Sequence, residues 1–159
     1  MDQTKLVMEI TAQTGVAFRR ALLEDIERLK KLGAPDEVLD FFANHEPSDC
    51  AEISGARLWP IAELILENSD YVPGADLHPR GFLVIATNES GDSFCVDLAL
   101  QGKQSRPVVI MSHELSWEEM SEEEVHALRK VVAESFDEFL ELFVNGRLDK
   151  QPLFEPRAG

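Results

Sequence analysis

Two apolar runs constrain this chain most: Phe82-Leu83-Val84-Ile85-Ala86-Thr87 and Ser93-Phe94-Cys95-Val96-Asp97-Leu98, joined by Asn88-Glu89-Ser90-Gly91-Asp92. β-Branched and aromatic residues on both sides of a short polar loop predict a β-hairpin, with Gly91 supplying the positive φ that such a loop needs. The first run is apolar throughout, as in an inner strand covered on both faces. The second alternates, with Phe94, Val96 and Leu98 on one side and Ser93, Cys95 and Asp97 on the other. Pro107-Val108-Val109-Ile110-Met111 predicts the next antiparallel strand. The fold expected is α+β, a mostly antiparallel sheet built on a central hairpin and meander, flanked by N-terminal helices and a long C-terminal helix.

Upstream, Asp2 is placed to cap a short helix carrying Leu6, Val7 and Ile10, which Thr14-Gly15 interrupts. Phe18, Leu22, Ile26 and Leu29 form a stripe that predicts a second helix over about 16–32, ended by Gly33. Pro35 opens a third helix with Val38, Leu39 and Phe42 on its buried side. His45-Glu46-Pro47-Ser48-Asp49 is expected to be a loop. Ala56 to Ile61 is expected to be a short edge strand that tolerates Pro60. A helix over about 62–68 and a turn-rich segment at 71–76 follow.

Beyond the third strand, Ser116-Trp117-Glu118-Glu119 and Ser121-Glu122-Glu123-Glu124 both match the Ser-x-x-Glu capping box. Val125, Leu128, Val132, Phe136, Phe139 and Phe143 then recur at three- and four-residue spacing, predicting one continuous helix closed by Asn145-Gly146. The proline-rich tail, Gln151 to Pro156, is expected to be extended. No repeat or linker divides the chain, so 159 residues of 44% hydrophobic content are expected to bury one core as one domain.

Thirty acidic residues against fifteen basic ones give a net charge of −15, which argues against nucleic acid or an anionic membrane as partner and favours a basic partner or none, the acid then serving only solubility on solvated helix faces. No run approaches the roughly 18 apolar residues of a membrane span. The N-terminus lacks the basic and apolar regions of a signal peptide, so a cytoplasmic location is expected. Cys50 and Cys95 are expected to be reduced thiols.

The four histidines, His45, His78, His113 and His126, show no metal spacing, and no metalloprotease, Walker or nucleophile-elbow motif is present. The hairpin loop lacks the alternating ligands of a calcium loop. No catalytic, cofactor-binding or metal-ligating residue is therefore assigned. Glu89, Asp92 and Asp97 cluster around the hairpin in sequence and are candidates for an acidic rim facing a cationic partner, the alternative being that Glu89 is solvated, Asp92 bonds its own turn and Asp97 caps a strand end. Trp59 and Trp117 are candidates for interface anchors, although a tryptophan is more often part of a core.

Several segments, in order, resemble the SUKH superfamily, which joins bacterial toxin-immunity proteins to the Smi/Knr cell-wall regulators of yeast. Pro35-Asp36-Glu37-Val38-Leu39-Asp40-Phe41-Phe42 is similar to its Pro-x-x-hydrophobic-x-x-Phe helix. Leu58-Trp59-Pro60-Ile61-Ala62-Glu63-Leu64 looks like its strand and short helix. Gly91-Asp92-Ser93-Phe94-Cys95-Val96-Asp97-Leu98 resembles its Gly-Asp-x-aromatic-x-hydrophobic-Asp hairpin. Pro107-Val108-Val109 and Ser135-Phe136-Asp137-Glu138-Phe139-Leu140 resemble its next strand and final helix. Ala86 and Ser90 stand where the family usually has glycine. The resemblance covers roughly 34–146, leaving 1–33 as an extra helical segment and 147–159 as a tail. It implies a non-enzymatic, protein-binding role, often the neutralisation of a bacterial toxin such as a nuclease.

Two other readings stay open. One is a regulatory scaffold. The other is a small-ligand or enzymatic cleft between sheet and helices, which needs His113, Glu114, Asp92 and Asp97 to converge.

Overall fold

The computed structural model describes residues 2–99 and 106–155. A six-stranded antiparallel sheet runs in sequence order through β3 (Ala51–Ile53), β4 (Ala56–Leu58), β5 (Phe82–Asn88), β6 (Ser93–Asp97), β7 (Val108–Met111) and β8 (Lys130–Ala133). Two further strands, β1 (Phe18–Arg19) and β2 (Glu46–Pro47), make a separate antiparallel pair. The helices are α1 (Gln3–Thr14), α2 (Leu23–Lys31), α3 (Asp36–Asn44), α4 (Ile61–Ser69), α5 (Gly74–Leu77), α6 (Glu122–Leu128) and α7 (Phe136–Val144). The fold is α+β. Among the described residues, no helix is long and apolar enough to cross a membrane.

The hairpin forms as its residues dictate. Every residue of β5 and β6 is buried, and Gly91 turns with φ 93°. Alternation sends Leu83, Ile85, Phe94 and Val96 into a core shared with α1, α3, α4 and α7. It sends Phe82, Val84 and Cys95 into a second core with Val109, Met111, Leu77, Trp117, Val125 and Leu128. The sheet is thus covered on both faces, which explains why even the polar side of β6 is buried. Phe136, Phe139 and Phe143 line the first core.

The continuous C-terminal helix does not form. Arg129 leaves α6 in an extended conformation (φ −70°, ψ 141°), and β8 pairs with β7 before α7 begins. The spacing of Leu128, Val132 and Phe136 fits a helix, yet Val131-Val132 is β-branched and the edge of β7 offers a ladder. Filling that edge decides the outcome. Ser135 Oγ then accepts the Glu138 N–H at 3.1 Å and restarts the helix, a capping signal present in the sequence.

The predicted helix over 16–32 is likewise split. Phe18 lies in β1, Leu22 is an extended residue before α2, and Leu22 and Leu23 are both exposed. The segment read as the loop at His45 to Asp49 instead holds β2. Pro47 pairs with Phe18 there without needing a donor toward β1. Ala56–Leu58 is an inner strand between β3 and β5, not an edge, and Pro60 precedes α4 outside the ladder. The true edge, β3, joins β4 through Ser54 (φ 50°) and Gly55 (φ 83°), the doubly positive turn that suits a two-residue hairpin.

Of the two capping boxes, only that of Ser121 and Glu124 forms. The Ser116 side chain caps nothing, because 117–119 is a single 3-10 turn. The Asp2 cap, Gly33 and Asn145-Gly146 behave as expected. Cys50 and Cys95 are both free. The tail carries no helix through Phe154 and is pinned at Leu148, which is buried. Pro156 and the last residues lie outside the described part.

Candidate protein-binding surface

The predicted acidic rim is not assembled. Asp92 and Asp97 bracket β6 at opposite ends, roughly 17 Å apart at the usual strand rise. Both are buried, at 4% and 0% exposure. Asp92 Oδ1 accepts the His113 main-chain N–H at 3.0 Å and lies 2.7 Å from His113 Nδ1. Asp97 pairs with Arg129 through one oxygen and accepts the Ala99 N–H through the other. Each carboxylate is engaged inside the fold, joining segments distant in sequence. Only Glu89 of the three reaches solvent, 3.5 Å from Lys150 Nζ.

The two tryptophans differ. Trp117 is fully buried in the second core and donates its indole N–H to Ser112 C=O at 2.7 Å, leaving no surface for a partner. Trp59 is half-buried and donates to Thr87 Oγ1 at 2.8 Å. Of the four residues a catalytic cleft requires, His113, Asp92 and Glu114 adjoin, with His113 Nε2 3.7 Å from Glu114 Oε1. Asp97 stands at the far end of the strand with Arg129. Among the described residues, no cluster of His, Cys, Asp or Glu is arranged to hold a metal ion. His78, for its part, binds Leu32 C=O through Nε2 at 2.7 Å.

Exposed acid concentrates instead on the segment joining β7 to α6 and on the first turn of α6. Between Glu114 and Glu124 the chain carries six glutamates and no lysine or arginine, and Glu114, Glu118, Glu119, Glu122, Glu123 and Glu124 are all exposed. The segment is held from beneath. Its start is fixed by His113 on Asp92 and its middle by Trp117 on Ser112. Its far side is fixed by Arg80, whose guanidinium donates to Met120 C=O at 2.5 Å, Trp117 C=O at 3.3 Å and Glu122 Oε1 at 2.9 Å. The local cation is thereby spent on main-chain carbonyls under the loop, and most of the carboxylates remain facing water.

Asp76 of α5 joins this surface. A hydrogen bond with the Asp76 carboxyl, and then its like charge, push the Glu118 pKa above the ordinary carboxylate range. Two carboxyls crowded in this way favour an arriving cation that relieves them. Just upstream of α5, Tyr71 and Val72 are exposed at 45% and 69%, an aromatic and an aliphatic group on the segment that carries Asp76. This combination was missed from sequence because the glutamates matched capping boxes, and only one box forms. Their density without a compensating cation was the available signal.

The model of the SMI1/KNR4 family (SUKH-1) matches residues 20–142, more than three quarters of the chain. The chain belongs to this family. The match takes in α2 through most of α7, beginning earlier than the expected resemblance, and leaves α1 and β1 outside. The SUKH-1 region therefore contains the whole six-stranded sheet and the acidic segment. No curated protein matches the chain.

Proposed function

We propose that this SUKH-1 protein is a non-enzymatic, cytoplasmic binding module, an immunity protein that neutralises a basic bacterial toxin by direct contact. The observation carrying this reading is the pinned acidic surface of Asp76, Glu118, Glu119 and Glu122, where Asp76 crowds Glu118. Its field draws a cationic partner in and orients it before contact. Tyr71 and Val72 supply apolar surface that holds the partner once water is expelled. If the toxin is a nuclease, the carboxylates occupy the place of its phosphate substrate. A rigid loop loses little freedom on binding, so more of the contact energy appears as affinity.

The test is co-expression of the tagged chain with products of the genes flanking its own, followed by capture at low and then high salt. A basic partner retained stoichiometrically and released as salt rises supports the reading. In the triple variant Glu118→Gln, Glu119→Gln, Glu122→Gln, retention should fall about tenfold or more, mainly through slower association. Capture of no basic partner at low salt removes the immunity reading. Undiminished capture by the triple variant moves the interface to another face.

A further inference from the structure

The open edge of β1 and an apolar groove lie together beside α1, outside most of the region covered by the family match. Among the described residues, β1 is paired on one side only, to β2. Ala17 C=O accepts the Ser48 N–H at 2.9 Å, Arg19 faces Glu46, and the Ala21 N–H donates to Ala43 C=O at 3.1 Å. The main-chain groups of 17, 19 and 21 thus turn toward β2 and α3. By strand alternation those of Phe18 and Arg20 turn the other way. With Ser48 bonded to Ala17, the register puts Phe18 opposite Pro47 at a non-hydrogen-bonded position, so its N–H and C=O face away from β2, and among the described residues Arg20 makes no main-chain bond outside the strands.

This edge borders a groove of about 470 Å³ lined by Val7, Met8, Thr11 and Ala12 of α1 and by Ala17 and Phe18. Met8 is 68% exposed on its wall. The charge here is opposite to that of the acidic surface. From Val16 to Leu23 the chain has two arginines and no acidic residue. Arg19 keeps 57% of its side chain exposed while pairing with Glu46, and Arg20 is exposed with no ion pair among the described residues.

An unpaired strand edge recognises extended main chain, a groove beside it recognises alternate apolar side chains, and arginines recognise carboxylates. We propose that β1 is a strand-addition site for an extended segment of a protein partner in which apolar residues alternate with Asp or Glu. The segment's main chain bonds Phe18 and Arg20, its apolar side chains fill the groove on the face of Phe18, and its carboxylates, on the opposite face, meet Arg19, with Arg20 adding its charge alongside. The site is separate from the acidic surface, which takes partners of the opposite charge.

The probe is a blocked hexapeptide alternating Val and Glu, titrated into the ¹⁵N-labelled full chain. Saturable shifts of the Phe18 and Arg20 amides, with slowed hydrogen exchange at both, are expected. Met8→Glu and Arg20→Glu, both at exposed positions, should each weaken binding about tenfold or more while leaving the far-ultraviolet spectrum unchanged. The Val-Lys counterpart should leave Phe18 and Arg20 unmoved. No saturable shift at these amides, or equal binding of the Val-Lys peptide there, overturns the proposal. So does concentration-dependent dimerisation that protects the same amides without peptide, which assigns the edge to a second copy. Binding of phosphatidylserine vesicles that displaces the peptide assigns it to a membrane surface and overturns it too.

Discussion

The Asn68 side chain serves Val84 as a short piece of missing strand. Asn68 Oδ1 accepts the Val84 N–H at 2.8 Å, and Asn68 Nδ2 donates to Val84 C=O at 3.0 Å and to Leu64 C=O at 2.9 Å. β4 pairs with β5 only at Ala56–Asn88 and Arg57–Thr87, so the outer edge of β5 is left without a neighbour near Val84. An amide presents one donor and one acceptor, as a peptide group does, and it closes that gap from α4.

Replacing Asn68 with Leu should cost about 3 kcal/mol, because it strands a buried N–H and C=O. Urea unfolding should show a lower midpoint with an unchanged slope. An unchanged midpoint would mean that water replaces the amide at this edge.

Asp97 is fully buried and its charge is met by Arg129, immediately before β8. Arg129→Met should destabilise the fold by about 3 kcal/mol by leaving a buried carboxylate without its counter-charge. Adding Asp97→Asn, which keeps an acceptor for the Ala99 N–H, should recover most of the loss. Equal stability of the single and double variants would show that the pair is not coupled.

Glu118 has a raised pKa because of Asp76. A carboxyl whose pKa is higher folded than unfolded favours the folded state below its unfolded pKa, and that contribution is lost as pH rises through the folded value. Ionisation of Glu118 beside Asp76 therefore works against the fold, weakly, at neutral pH. In a carboxyl-detected NMR titration, Asp76→Asn should move the Glu118 midpoint down toward the ordinary glutamate value. An unmoved midpoint separates the two groups.

Cys95 is wholly buried, and desolvation and then Asp97 push its thiol far up. Cys50, half-buried in its loop, is raised mainly by burial. A thiol reagent at mildly alkaline pH should modify Cys50 slowly in the native protein and Cys95 only after unfolding. Prompt modification of both would place Cys95 in a readily opened part of the sheet.

The central hairpin was legible because its information is local. β-Branched runs, a polar turn and a positive-φ glycine specify it without reference to the rest of the chain. The Asp2 and Ser121 caps were legible for the same reason. Residues 129–133 were not, since helix and strand readings of Val131-Val132 are close in local energy and the uncovered edge of β7 selects between them. The site followed the same division. Sequence indicated an acidic chain, but the placement of Asp92 and Asp97 depends on His113 and Arg129, which are 21 and 32 residues away.

By itself, then, the sequence determined the α+β class, the hairpin and its turn, the family and the excess of negative charge, all of which arise from neighbouring residues or from composition. Tertiary structure alone decided that the sheet has six strands, that Trp117 and two of the three hairpin carboxylates turn inward, and that Asp76 meets Glu118 at the surface. Those outcomes rest on contacts between segments far apart in the chain, where burial and hydrogen-bond satisfaction outweigh local preference.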